Sequence, residues 1–576
     1  MRKRMTYIAA AAVGAGVLLS AGSMKHGEMT VHAAETQSVQ AENPEGSVED
    51  GRLIESGHDS GGTVHFKIYE NGRMYVYGYG EMDYLKEWIG ETDIGIDGES
   101  LVKEIIVQDG ITKISDFGWF ENLEKVVLPE SLKEIGETTF YGCEKLKEIS
   151  LPKNLKEIGE GAFGECISLS KIVIPEGITS LGREKEKDNP AMGIFQYCTN
   201  LSEVVLPDSL EMIGNNTFLG CSNLNNIDMP NSIKKIEDGA FAESGLETIN
   251  LPEGITKLNQ RTFAECKNLT QVSLPTSLRE IKHAAFSKCT NLKKIVIPEG
   301  VEKLGEEENT VEGVFYQCKN LSDVTLPETL QFIGCDAFSK CTNLSQIEIP
   351  DSVTYIADDA FSISGIEDIK LSKNIKEING GTFYWCTKLK KIEIPEGVTR
   401  IGSRAFYASS LEEVSIPDSV TSIEFGAFEC NLKFLELPKG LQEIGRDAFV
   451  GNTLLGEVIM NGDAPKCEEG GMFENGPFSE CSENLTIYVP ENSKGYDVKP
   501  WTNYNIVYQA SYALGDINKD SKVNMKDART ALKAAVGSET LNEEQQKLGD
   551  VDNDGKVGMK DARLILKYAV GSIEEF

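Results

Sequence analysis

Histidine is almost missing from this 576-residue chain: there are five, four of them before residue 66, so His283 stands alone in the long middle. Nucleophilic catalysis of the Ser-His or Cys-His kind needs a base held by a third group, and no motif here supplies a partner, so no catalytic residue is assigned. Basic residues are also scarce. Lys and Arg number 57 against 91 Asp and Glu, giving a formal charge of −34. That surface repels nucleic acid and anionic lipid, and neither is an expected partner. After the first 34 residues no apolar run is long enough to cross a bilayer.

The chain starts with three basic residues after Met1 and a short apolar run, "MRKRMTYIAAAAVGAGVLLSAG". It reads as a secretory signal over residues 1–34, cleaved after Ala33 or Ala34, with Ala21 as another site and an uncleaved membrane anchor as the alternative. Residues 35–61 are acidic and poor in large apolar side chains, which predicts disorder. Residues 62–99 open with an alternating pattern around Asn71-Gly72, a hairpin signal, and are expected to cap the first coil of the long middle.

That middle repeats. "LKEISLPKNLKEIGEGAFGEC" and "LKKIEIPEGVTRIGSRAFYAS" are two of many relatives whose Phe residues fall at 140, 163, 195, 218, 241, 263, 286, 315, 338, 361, 383, 406, 428 and 449. A period of 21 to 23 residues, broken twice, is a solenoid period, because one coil cannot bury its own apolar side but stacked coils can. Within a coil, LxxIxIP alternates as a short strand, Pro ends it, LxxIG is a second extended piece, and xxAFxxC predicts one helical or 3₁₀ turn. Stacking strands about 4.8 Å apart predicts a continuous parallel sheet and a rod on the order of 70 Å. The fold class expected is α/β.

Nine cysteines lie three residues after a repeat Phe, from Cys143 to Cys386, while Ser244, Ser364 and Ser409 take that place singly. Equivalent side chains on stacked coils run parallel, whereas a disulfide needs Cβ atoms turned toward each other, so these are expected to be buried thiols. Cys467 and Cys481, outside the row, are the one pair open to bridging. Asn200, Asn223, Asn268, Asn291, Asn320 and Asn343 form a second row, expected to bond turn backbone from coil to coil. Coils before Phe195 and Phe315 are lengthened by nine and six residues, which suggests duplicated five-coil blocks and two protrusions on one face. The outward strand row, Val127, Ser150, Val173, Val205, Asp228, Asn250, Ser273, Val296, Thr325, Glu348, Lys370, Glu393, Ser415 and Glu436, holds no aromatic ring. A sugar-stacking face would present them, so a protein contact is the preferred reading there.

These repeats resemble the BspA-like leucine-rich repeats of bacterial surface proteins over residues 100–508. The resemblance implies a leucine-rich-repeat solenoid with a C-terminal cap.

The chain ends on "GDINKDSKVNMKDARTALKAAVG" and "GDVDNDGKVGMKDARLILKYAVG", identical at fifteen of 23 positions. Oxygens at loop places 1, 3, 5, 7, 9 and 12 come from Asp516, Asn518, Asp520, the Lys522 carbonyl, Asn524 and Asp527. In the second loop they come from Asp550, Asp552, Asp554, the Lys556 carbonyl and Asp561, Gly558 leaving place 9 to water. That is calcium spacing, and two Ca2+ ions are expected. Gly555 meets the turn at place 6, whereas Ser521 holds it in the first loop and predicts a weaker site.

An ordinary EF-hand has two flanking helices and Glu at place 12; here one helix follows each loop and place 12 is Asp. In that, residues 513–576 resemble a type I dockerin, a small all-α module. The resemblance implies calcium-dependent folding and docking to a cohesin module of a scaffoldin in an extracellular polysaccharide-degrading complex of the cellulosome or amylosome kind. It also implies partner contacts through Met525, Lys526, Leu532 and Lys533 and through Met559, Lys560, Leu566 and Lys567, with two alternative docking orientations. The function expected is a secreted, non-catalytic recognition protein whose rod binds a protein or cell-surface ligand; a regulator of an enzyme in the complex, or a polysaccharide-binding component, is the alternative.

Overall fold

The computed structural model describes residues 47, 49–82, 98–184, 191–307, 312–467, 476–509, 512–520 and 522–576. The signal segment, most of the segment 35–48, and the longer parts of the two extended coils (185–190 and 308–311) lie outside them, as does Ser521.

Each coil builds itself from its apolar spacing. In the coil running from Thr248 to Leu269, Ile249, Ile255, Leu258, Phe263, Cys266 and Leu269 are buried, while Thr248 and Asn250 face out. The three-residue strand Thr248–Asn250 pairs in parallel with Gln271–Ser273, and the two-residue strand Lys257–Leu258 with Glu280–Ile281. Neighbouring coils therefore register like on like, and two parallel sheets run along the rod. Their ladders are interrupted: the outward row drops to single bridges at Glu148 with Lys171 and at Glu393 with Ser415. Strands this short, stopped by Pro, leave little margin for a lost bond, so the expected continuous sheet exists as consecutive short ladders.

The AFxxC segment is not helical. In most coils the residue two before the Phe and the residue two after it both have positive φ, as with Gly161 and Glu165 around Phe163, or Arg261 and Glu265 around Phe263. Left-handed residues so close together break any helical or 3₁₀ run, which corrects the predicted turn.

These turns stack the Phe rings in one column, with centroids 5.0 to 5.8 Å apart from Phe117 to Phe478. Phe117 and Phe478 extend the sequence-derived row at both ends. Beside it each thiol bonds the preceding coil: Cys166 Sγ to the Phe140 carbonyl at 3.1 Å, Cys289 to Phe263 at 3.1 Å, Cys318 to Phe286 at 3.0 Å. Where Ser244 and Ser364 stand instead, the hydroxyl meets the next thiol, Ser244 Oγ with Cys266 Sγ at 3.3 Å and Ser364 Oγ with Cys386 Sγ at 3.4 Å. No disulfide joins any cysteine among the described residues, Cys467 and Cys481 included. The Asn row behaves differently from expectation. Asn223 donates to Asn200 Oδ1 at 3.2 Å and Asn343 to Asn320 Oδ1 at 3.3 Å, so these side chains bond each other on the surface rather than turn backbone.

Both ends are closed. Strands β1 (Leu53–His58), β2 (Val64–Tyr69) and β3 (Arg73–Gly78) form an antiparallel sheet whose β3 pairs in parallel with Glu104–Val107 of the first coil, just after the short helix α1 (Gly98–Leu101). The acidic segment 35–61, expected to be disordered, is thus ordered over β1. The cause is local: buried Asp50 takes Arg73 Nη1 at 2.9 Å, Asn71 Nδ2 at 3.0 Å and the Ser47 amide at 2.7 Å, and Arg73 also grips Glu104. Burial pushes the Asp50 carboxyl up, but these bonds outweigh it and hold it well below the usual carboxylate range. At the far end Thr486–Pro490 and Asn505–Gln509 extend the sheet, and Trp501, Tyr496, Phe478 and Tyr504 cover the last coil edge to face.

The tail has its own small core of Ile517, Ala528, Ala531, Leu541, Val551, Ala562 and Ile565. Helices α2 (Met525–Ala535) and α4 (Met559–Ala569) follow the two loops. A third, α3 (Glu543–Gly549), leads into the second loop behind an Asn542/Gln545 capping box, an element the loop-then-helix pattern does not predict. Among the described residues no helix is long and apolar enough to cross a membrane.

Candidate calcium loops and docking face

The two tail loops are closed by the same device. Asp527 Oδ1 accepts the Asn518 amide at 3.0 Å and its Oδ2 the Asn524 amide at 2.9 Å, tying places 3 and 9 to place 12. Asp561 does likewise with Asp552 at 3.2 Å and Gly558 at 2.8 Å. Place 1 organises the turn: Asp516 Oδ1 accepts the Asp520 amide at 3.1 Å, and Asp550 the amides of Asp554 at 3.0 Å and Gly555 at 2.8 Å. Gly555 has φ +89°, the left-handed turn its place requires.

The result is a convergence of like charges. Carboxylate oxygens of Asp550, Asp552, Asp554 and Asp561 lie within 4.8 Å of one another, and so do those of Asp516, Asp520 and Asp527. Asp516, Asp527 and Asp561 are buried, so their repulsion is poorly screened by water. An all-oxygen donor set of this density suits a hard divalent cation, and the residues present fit calcium. Asn518, Asn524 and the carbonyls of Lys522 and Lys556 sit on the same loops. Asn524 Nδ2, however, bonds the Lys522 carbonyl at 3.0 Å, so two of the expected oxygen sources engage each other. Two lysines expected at the partner face also reach back to the loops. Lys560 Nζ lies 2.6 Å from Asp552 and Lys526 Nζ 3.5 Å from Asp520, and the hydrogen bond from Lys560, with its charge, holds the Asp552 carboxyl below its usual range.

Helical spacing then decides what faces out. Ala528, Ala531, Ala562 and Ile565 turn inward. Met525, Leu532, Met559 and Leu566 remain exposed, Leu532 at 43% and Leu566 at 39%, so neither leucine is a core residue. The four come together around one depression of about 600 Å³ between α2 and α4, together with Lys526. Lys533 and Lys567 do not line it; Lys533 pairs with Glu539 at 3.3 Å. Arg529 and Arg563 do line it and were missed, although i to i+4 spacing from Met525 and Met559 places them on the same face.

On the rod, Val127, Val173, Val205 and Val296 of the outward row are exposed. His283 contacts Glu306 at 3.2 Å, in keeping with an ordinary surface pair.

Residues 98–185, 191–310, 308–431 and 410–507 match the family described as BspA type leucine rich repeat region, in six copies, and residues 514–569 match the dockerin type I domain. Type I dockerins bind calcium and dock to cohesins. Among solved structures, this chain is similar to a leucine-rich repeat protein from Bacteroides ovatus ATCC 8483 at 26% identity and TM-score 0.49, over 77% of this chain and 98% of that one. A leucine-rich repeat protein from Eubacterium ventriosum ATCC 27560 aligns at 21% identity and TM-score 0.43, over 63% and 96%. A leucine rich cell surface protein from Faecalibacterium prausnitzii A2-165 aligns at 22% and 0.32, over 68% and 94%. No curated protein sequence matches.

Proposed function

Starting from a chain that belongs to the BspA-type leucine-rich-repeat family and ends in a type I dockerin, we propose a secreted, non-catalytic recognition protein. Its rod, residues 100–508 between caps, meets a protein or cell-surface ligand. Its tail, residues 513–576, binds two calcium ions and plugs into a cohesin of an extracellular scaffoldin. The carrying observation is the duplicated geometry: two like carboxylate clusters, each opening a helix whose Met and Leu side chains are bare and border the same depression.

In this reading Asp516, Asn518, Asp520, the Lys522 carbonyl, Asn524 and Asp527 hold one ion. Asp550, Asp552, Asp554, the Lys556 carbonyl and Asp561 hold the other. Calcium supplies the positive charge that lets these carboxylates approach and so fixes the start of each helix. Met525, Leu532, Met559 and Leu566, ringed by Arg529 and Arg563, are the contact surface. Apolar anchors beside arginine are the composition that concentrates binding energy.

Titration of a cohesin panel by calorimetry, with and without chelator, tests this. Binding is expected in calcium, abolished by chelator and by Asp516→Ala combined with Asp550→Ala. Leu532→Ala or Leu566→Ala alone weakens binding only slightly if either helix can lead, and the double variant weakens it at least tenfold. Unchanged affinity in chelator and in the double Asp variant would refute the docking role.

A further inference from the structure

Two of the most exposed aromatic rings on the rod sit where backbone preference disfavours them. Trp119 and Tyr197, each two residues after a stacking Phe, have φ of +67° and +59° and are 48% and 40% exposed. Glycine would adopt this left-handed backbone freely, and in the following coil it does: Gly142 and Gly220 hold the same place with φ of +71° and +72°.

Those glycines are seats. A Cβ on Gly142 would fall 2.5 Å from the Trp119 ring, and one on Gly220 would fall 2.4 Å from the Tyr197 ring. Tyr141 is seated in the same manner over Gly164, at 2.7 Å, and its hydroxyl donates to Glu165 at 2.5 Å. Trp119 and Tyr197 thus lie down along the rod against the next coil, and exposure near one half is what a ring with one covered face retains, while Tyr141 is more deeply covered. Trp119 and Tyr141 adjoin edge to face, with centroids 5.3 Å apart and ring planes at 60°. Trp385 shares the place and the left-handed backbone in a later coil, but Ala408 follows it there, so that coil offers no glycine seat.

We propose that the bare faces of Trp119 and Tyr197, three coils apart and with Tyr141 edge-on beside Trp119, are stacking points for a neutral glycan lying along the rod axis. Flat bare rings complement the CH faces of sugar rings, and coils stepping by about 5.5 Å repeat on the scale of successive sugars in an extended chain. Glu165 among them offers acceptors for hydroxyl groups. The same carboxylate, with Glu243 near Tyr197 and a net charge of −34, repels nucleic acid and acidic polysaccharide. A protein anchor would call for a pocket rather than a flat ring. The proposal names a ligand class for the rod and therefore rests on reading the rod as a recognition arm; it is independent of the tail.

The test is native affinity electrophoresis of the full chain in chelator, which silences docking. The gels contain soluble β-glucan, xyloglucan, galactomannan or starch, with polygalacturonate as the anionic control. At least one neutral polymer is expected to retard the protein, and Trp119→Gly with Tyr197→Gly to weaken that retardation about tenfold. Because glycine suits both backbones, the thermal midpoint of this variant holds. Retardation by no neutral polymer, retardation by polygalacturonate alone, or equal retardation of the variant overturns the proposal. So does a midpoint that falls together with affinity, since that marks the rings as packing. Cohesin binding by the same protein in calcium, measured separately, keeps a failure here distinct from a failure of the docking role.

Discussion

The rod and the tail solve one problem, holding a repeated sequence in register, by opposite means. In the rod the recurrent interior side chains meet the neighbouring coil, Phe on Phe and thiol on the carbonyl beside it, and these contacts are apolar or neutral. In the tail the buried apolar set is seven residues, and what gathers around the helix starts is carboxylate. A stack of neutral ladders is stable by addition of coils, whereas a cluster of like charges costs stability that a counterion offsets. On the proposed reading the rod is therefore a permanent body and the tail a conditional one.

The largest effect that would break this contrast is metal removal. Calcium at a thousandfold excess over Kd contributes about 4 kcal/mol per site, a large share of what so small a core can hold. On adding chelator, hydrogen exchange is expected to rise through residues 516–569 and to stay unchanged from 104 to 489. Equal protection of the tail without metal would erase the difference between the two regions.

A core substitution in each region sharpens it. Phe286→Ala removes a ring stacked at 5.5 Å on both Phe263 and Phe315 and is expected to cost about 3–5 kcal/mol, with exchange raised only in adjoining coils. Calcium does not rescue it. Ile517→Ala, at the centre of the tail core, costs about 2–5 kcal/mol, and raising calcium offsets it by mass action. Chemical denaturation at two calcium concentrations separates the pair.

How much of the molecule is legible in its sequence follows the same division. The Phe and Cys rows give the solenoid because a period that recurs fourteen times leaves one way to bury it. The thiols can be placed off the disulfide route from side-chain direction alone. What escapes is set by backbone sign and by long-range partners. The turns around Phe163 look helical in pattern, and only positive φ at Gly161 and Glu165 shows otherwise. β1 reads as a disordered acidic segment because its order comes from Asp50 meeting Arg73, 23 residues away. In the tail the ligand spacing is plain. Whether Leu532 and Leu566 face in or out depends on where α2 and α4 meet, and the reach of Lys526 and Lys560 to Asp520 and Asp552 depends on how each loop folds against the start of its helix.

The smallest effect asks the two regions to answer one substitution with opposite signs. Asp336 and Asp359 hold the same left-handed place on adjacent coils of the rod, with φ of +52° and +55°. Burial, and after it the charge of Asp359, pushes the Asp336 carboxyl up to about 6 from an ordinary 3.8. Between those values the folded chain binds more protons than the unfolded one, so this site's contribution to stability falls as pH rises from about 4 to 6 and stays lowered above. Asp336→Asn removes that burden and keeps a side chain that tolerates the left-handed backbone. It is expected to stabilise the rod by about 1–2 kcal/mol at pH 7.5 and by nothing measurable at pH 3.5, read from urea midpoints. Asp550→Asn, made in the tail with calcium present, takes a charge from the cluster that the ion needs and lowers tail stability at pH 7.5. If both variants moved stability in the same direction there, the tail carboxylates would be no more than another buried liability, and the case for a counterion would fail.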